Sequence, residues 1–400
     1  MFSRRTFLQA SAATAAMLAS RPASAANAPG VTDTEIKIGQ TMPYSGPASA
    51  YGTIGRCETA YFKMINDQGG VNGRKINLIS LDDGYSPPKT VEQIRKLVEQ
   101  DQVAFIFNSL GTPSNSAIRD YLNENKIPQL FVATGASKFG DYKHYPWTMG
   151  WQPSYRIEGA VFAKHIMASK PKAKIGILYQ NDDFGKDYLD SVKETLGGMA
   201  NMVVKEVSYE VSDPTVDSQV ITLQGSGADT FVIAATPKFA AQALRKAYDT
   251  GWKPVEYLTN VSLSIGAVLK PAGLEKCVGA MTGAYGKEPT DPKWKDDPGM
   301  NKWREFMAKY MPGVDTSDNN NVYGYGVAAT LIQVLKQCGA DLSRERIMKE
   351  AANLKDFEIP TSLPGIEINT SPTNYYPIKQ MQLSRFNGTT WELFGEVLSG

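Results

Sequence analysis

Histidine and cysteine are nearly missing from this chain of 400 residues, which has two of the first and three of the second. Neither His144 nor His165 has a Cys or His partner at ligand spacing, so no zinc or copper site is expected. A nucleophilic triad would need one of these two histidines. His144 lies in a loop-like Tyr/Lys/Pro stretch and His165 in mid-helix, so no catalytic residue and no cofactor is expected. Asp82-Asp83 and Asp182-Asp183 are acid pairs near strand ends; they read as helix caps and acceptors for loop amides, not as an acid–base pair. Cys57, Cys277 and Cys338 read as small buried side chains, with a Cys277–Cys338 disulfide as the alternative. Basic blocks and acidic tails are also missing. The 42 Lys and Arg balance 41 Asp and Glu, which excludes nucleic acid as a partner on electrostatic grounds. No stretch beyond the N-terminus is apolar enough to cross a membrane.

The first 25 residues, in contrast, are strongly patterned. Arg4-Arg5 precede a short Ala-rich apolar run, which ends at Ala23-Ser24-Ala25. Paired arginines, a short apolar middle and a small-residue end make an export signal of the twin-arginine type, cleaved near Ala25. No Cys sits at the cleavage site to carry a lipid. Loss of Arg4, Arg5 and Arg21 leaves a mature net charge of about −2. The mature chain is expected in the periplasm, as a monomer. Its length of about 375 residues suits two lobes better than one core.

Along the mature chain, strand-like and helix-like segments alternate. Apolar runs at 35–40, 75–81, 103–107 and 128–132 read as strands, separated by helical spacing at 54–65, 91–97 and 117–122. The pattern restarts after Pro153: strands at 174–179, 203–207 and 230–234, helices at 160–167, 184–196 and 240–248. Continuous apolar strands must be covered on both faces, so each half reads as a parallel, doubly wound sheet. Helices at 303–310 and 327–337 follow, and 376–394 reads as a hairpin turning at Asn387-Gly388.

Ligands of open α/β sheets bind beyond the carboxyl ends of the strands. Four such ends are rich in hydroxyl and small residues: 45–52 with Tyr51, 109–114 with Ser109 and Thr112, 133–137 with Ala133, Thr134, Gly135 and Ala136, and 259–262 with Asn260 and Val261. Hydroxyls and helix N-terminal N–H groups suit a carboxylate.

Five motifs appear in order: Ser45-Gly46-Pro47, Tyr51-Gly52, Gly69-Gly70-Val71-Asn72-Gly73-Arg74, Asp82-Asp83 and Gln180-Asn181-Asp182-Asp183-Phe184-Gly185. With them the chain resembles the periplasmic solute-binding proteins of the branched-chain amino acid (Leu/Ile/Val-binding) family of ABC importers, from about residue 33 to 400. The resemblance implies an α/β type I periplasmic-binding-protein fold, with two Rossmann-like lobes whose parallel sheets are joined by a three-stranded hinge. The expected division is 30–153 plus 285–357 for lobe 1 and 154–284 plus 358–400 for lobe 2. It implies that Tyr51 caps a small-molecule ligand, that Thr112 and the 133–136 loop hold its carboxylate, and that Phe184 lies against it from the second lobe. Two departures bear on the ligand. Val261 stands where the amino-acid binders place an acid for the α-ammonium, and Ala235-Thr236-Pro237 replaces a Gly-Tyr loop. A buried, unpaired ammonium costs several kcal/mol. The expected ligand is therefore an aromatic or apolar carboxylate, delivered to a membrane permease. A branched-chain or other amino acid is the first alternative, and a ligand sensor for a signalling partner the second.

Overall fold

The computed structural model describes residues 28–399, so the export signal and its cleavage point lie outside the described residues. Two sheets organise the rest. The first is built from β1 (Glu35–Met42), β2 (Lys75–Asp82), β3 (Ile106–Phe107), β4 (Gln129–Val132) and β5 (Thr148–Gly150), in the order β2-β1-β3-β4-β5 and parallel throughout. The second holds β6 (Ile175–Gln180), β7 (Val203–Tyr209), β8 (Thr230–Ala234), β9 (Val255–Leu258), β10 (Met281–Ala284), β11 (Gln380–Phe386) and β12 (Trp391–Ser399). Its order is β12-β11-β10-β9-β8-β6-β7. β6 to β10 run parallel; β11 and β12 form an antiparallel hairpin added to the edge of β10.

β3, β4, β5, β8 and β10 bury every residue, the mostly apolar β4 and β8 and the Thr- and Gly-bearing β5 and β10 alike. Helices cover both sides of each sheet, as the burial of those strands requires. Beside the first sheet, the helix Asn320–Cys338 is rich in Gly and Ala and lies close on the helix Gly52–Asp67. A Cβ at Gly324 would stand 2.9 Å from the Cys57 Cβ and 3.0 Å from the Ile54 carbonyl.

The chain passes between sheets three times: at 151–154 after β5, at 285–290 after β10, and at 378–380 before β11. Ile359, Leu363, Ile366, Ile368, Tyr375 and Ile378 pack in the same core as Ile36 and Phe107. The third crossing therefore falls about twenty residues after the expected division at 358, and only the hairpin joins the second sheet from the C-terminal part.

Most expected elements are present with shifted ends. β3 shrinks to two residues, and β5, β9 and β10 have no counterpart among the expected strands. They are only three or four residues long and carry Thr, Gly or Glu in place of an apolar run. The helices Asp217–Gly225 and Arg344–Ala351 were likewise not anticipated. The hairpin turns where expected, with Gly388 at φ +104° and the Asn387 side chain accepting from the N–H groups of Thr389 and Thr390, both at 2.9 Å. All three cysteines are free and buried. Cys338 belongs to the core of the first sheet and Cys277 to a core of the second, so the Cys277–Cys338 pairing does not form.

The 180–185 motif has a steric origin. Asp182 caps the helix Asp183–Leu196 by accepting from the N–H groups of Phe184 (3.0 Å) and Gly185 (3.3 Å). A Cβ at Gly185 would stand 2.1 Å from the Gln180 carbonyl oxygen and 2.6 Å from its nitrogen. Both are backbone atoms that cannot step aside. Gly185→Ala is therefore expected to cost roughly 2 kcal/mol or more, read as a lower midpoint in denaturant unfolding.

Candidate functional site: the cleft between the sheets

The loops at the carboxyl ends of both sheets, together with the crossing segments, enclose one cleft with about 1120 Å³ of empty space, open solvent included. Its walls are aromatic. Tyr51, Tyr85, Trp151, Tyr155, Phe184 and Tyr323 line it. The Phe184 ring meets Tyr155 edge-on at 4.9 Å, and Trp151 meets Tyr323 edge-on at 5.0 Å. Such pairs are rigid, flat apolar surfaces. Among the described residues, no lysine, arginine or histidine lines this cleft; its ionisable acids are Glu288 and Asp291.

The two sheets touch directly across it. The Tyr51 hydroxyl donates to the Val261 carbonyl at 3.0 Å, and the Gln180 amide donates to the Tyr85 hydroxyl at 3.4 Å. Beside the opening, Ser264 donates to Asp318 at 2.8 Å and the Gly266 N–H to the Ser317 carbonyl at 3.0 Å. Near the first crossing, Asp187 accepts from the Ser137 N–H (2.6 Å) and hydroxyl (2.8 Å). These hydrogen bonds bridge the two sheets around the cleft.

One end of the cleft is a cluster of hydroxyls. Gly111, at φ +105°, turns the chain into the helix Thr112–Glu124, whose N-terminus has no side-chain cap. The Cβ that Gly111 lacks would stand 2.6 Å from the Tyr85 ring. The Thr112 and Thr134 hydroxyls share a hydrogen bond of 2.7 Å, and Thr134 accepts from the Ala136 N–H at 3.1 Å. Tyr155 adds a third hydroxyl: burial pushes its pKa up to about 12, while Thr134, the Gly135 backbone and Thr112 pull it down. A helix N-terminus beside three hydroxyls offers donors and positive potential to an anion without a formal charge.

The opposite wall is the 259–262 loop. Glu158, fully buried, holds it: the carboxylate accepts from the Asn260 N–H (3.0 Å), the Asn260 side-chain amide (2.5 Å), the Gly283 N–H (3.1 Å) and the Tyr188 hydroxyl. Burial pushes the Glu158 carboxyl up to about 7 against those four donors.

Of the expected site residues, Tyr51, Thr112, Ala133, Phe184, Asn260 and Val261 line the cleft together. Ser109, Thr134, Gly135 and Ala136 are not among its lining residues. The Ser109 hydroxyl turns into the sheet and accepts from the Thr41 N–H at 3.0 Å. Thr134 stands behind Thr112, Ala136 packs in the core of the second sheet, and Gly135 accepts from the Tyr155 N–H at 2.8 Å. The Asn260 side chain is spent on Glu158, so that loop presents Val261 to the cleft. Tyr85, Tyr155, Glu158 and Glu288 were not anticipated. Asp182-Asp183-Phe184 signals the helix start but not Tyr155, which pairs with it in space.

The profile of the family described as periplasmic binding protein matches residues 35–390. The Leu/Ile/Val-binding protein homolog 1 of Brucella abortus is 23% identical over 331 residues, 80% of this chain and 84% of that one. A Thermus thermophilus branched-chain amino acid ABC transporter structure with bound valine superposes with a TM-score of 0.84 at 16% identity, covering 92% of this chain and 98% of that one. A fatty acid ABC transporter substrate-binding protein from Thermomonospora curvata gives 0.77 at 22% identity, with 95% and 96% covered.

Proposed function

Because this chain belongs to the periplasmic binding protein family and has its two-lobed type I fold, we propose that it is the solute receptor of an ABC importer whose ligand is an organic carboxylate with an aromatic or apolar body. The family binds substrates and passes them to a membrane permease. One observation carries the choice of ligand. The cleft offers a cluster of hydroxyls and a helix N-terminus at Thr112, flat rings along its walls, and Val261 in the loop where relatives are expected to place an acid. In this reading the ligand carboxylate lies against Thr112 and Tyr155, with Thr134 ordering the Thr112 hydroxyl. Tyr51 and Phe184 face its apolar body. The receptor works in the periplasm after removal of the N-terminal signal, with lobe 1 formed by residues 30–153 and 285–378 and lobe 2 by 154–284 and 379–400.

A second reading, an amino-acid ligand, is favoured by Glu288, an acid in the cleft that could face an ammonium. A calorimetry and thermal-shift panel of benzoate, cinnamate, medium-chain fatty acids and the common amino acids separates the two. A ligand present at a hundred times its Kd adds about 2.7 kcal/mol to folding, an easily read rise in Tm. Aromatic or aliphatic acids are expected to give this rise, with leucine and valine silent. Sub-micromolar binding of leucine or valine with the acids silent would overturn the carboxylate assignment and leave the receptor role standing.

A further inference from the structure

Each crossing between the sheets sets a buried polar group in the cleft with no hydrogen-bond partner among the described residues. Gln152 Nε2 comes from the first, Glu288 Oε2 from the second and Ser384 Oγ from β11 just after the third. Trp294 Nε1, just beyond the second crossing, is also unpartnered. These four residues are at most 7% exposed. Buried polar atoms without partners are rare in folded proteins, and several in one cavity point to a group that enters it. The Glu288 carboxyl is fixed in place. Its other oxygen, Oε1, accepts from the Thr290 N–H (3.1 Å) and hydroxyl (2.8 Å). The Thr290 and Thr390 hydroxyls lie 2.8 Å apart, tying the loop to the hairpin that carries Trp391 and Ser384.

The chemistry of these atoms narrows what can enter the cleft beside them. Indole and amide N–H groups only donate, whereas a carboxylate oxygen accepts. An ammonium could donate to Glu288 but could accept nothing from Trp294 or Gln152. A second carboxylate could accept from both, but beside Glu288 one of the two carboxyls would have to hold a proton. A hydroxyl donates one hydrogen bond and accepts two, so it satisfies both kinds of group without charge. Resting on the carboxylate reading above, we propose that these groups form a second subsite of the cleft, which recognises a hydroxyl carried on the ligand body away from its carboxylate. The ligand class then narrows to hydroxy-substituted acids, with a phenolic acid the best match to the aromatic walls.

Calorimetric titration with two pairs of probes, benzoate against 4-hydroxybenzoate and cinnamate against 4-hydroxycinnamate, tests this. The two scaffolds differ in length, so one pair samples a short span and the other a longer one. In at least one pair the hydroxylated acid is expected to bind on the order of tenfold tighter. That ratio is expected to fall towards one in Trp294→Phe, which keeps a ring but loses the N–H, and in Ser384→Ala, a minimal change should the first variant fold poorly. Equal affinities within both pairs in the wild-type protein, or a preference that survives both substitutions, would overturn the subsite while the carboxylate reading stands. Failure of all four acids to bind, with an amino acid bound in their place, would overturn the carboxylate reading and the subsite with it.

Discussion

Glu158→Gln is expected to destabilise the protein by about 1–3 kcal/mol, a large effect for a substitution that changes one heavy atom. The carboxylate lies at 0% exposure and receives hydrogen bonds from donors alone: two backbone N–H groups, the Asn260 amide and the Tyr188 hydroxyl. A glutamine offers one acceptor oxygen and turns its NH₂ towards at least one of those donors. It strands at least one of those buried donors, at about 1–3 kcal/mol. The pH dependence has a definite sign. The carboxyl is pushed up to about 7 from an ordinary value of 4.5. The folded state thus binds the proton more tightly than the unfolded one, and the contribution is fully present below about 4.5 and lost as the pH rises through 7. Urea unfolding at pH 5 and pH 8 is expected to show a wider gap between wild-type and variant at pH 5. A variant within about 1 kcal/mol of wild-type at both values would contradict the role given to Glu158. Because the same carboxylate fixes the 259–262 loop, ligand affinity is expected to fall as well.

Thr112→Val is expected to weaken carboxylate binding by roughly ten- to a hundredfold while leaving the fold intact. Valine keeps the branched shape and removes only the hydroxyl. A hydrogen bond to a charged group contributes about 1.5–3 kcal/mol, which corresponds to that range. Thr134 loses the partner that Thr112 supplied at 2.7 Å, but it still accepts from the Ala136 N–H. Calorimetry with the tightest acid of the panel measures the loss. Unchanged affinity would remove the carboxylate from this end of the cleft.

The fold was legible where burial wrote a continuous apolar run, as in β4, β6 and β8, and where helical spacing persisted for three turns. It was not legible in β9 and β10, whose central position comes from neighbours far along the chain. The cleft was half legible. Hydroxyl-rich loops after β1, β3, β4 and β9 mark strand ends that face one another, but loop composition cannot say which way a side chain turns. Asn108, at φ +46°, precedes Ser109, whose hydroxyl serves the backbone of β1. Tyr155 and Glu158 sit in the helix Tyr155–Ser169, whose largely apolar sequence gives no sign of a site. Ser384 lies far in sequence from Glu288 and Trp294, and they line one cavity because the crossings converge there. Each meets a distant partner only after the lobes are assembled, which spacing along the chain does not record.

The proposed closure of the lobes on a carboxylate rests on three bridges between them, Tyr51 to Val261, Gln180 to Tyr85 and Ser264 to Asp318. In this proposal a ligand that fills the cleft favours the bridged form over one in which the lobes swing apart about the three crossings. Small-angle X-ray scattering of the mature protein, alone and saturated with the tightest acid of the panel, tests this most directly. The expected result is a smaller radius of gyration with the acid bound; the same radius at saturation, with binding verified by calorimetry in the same sample, would contradict closure of the two lobes on a carboxylate.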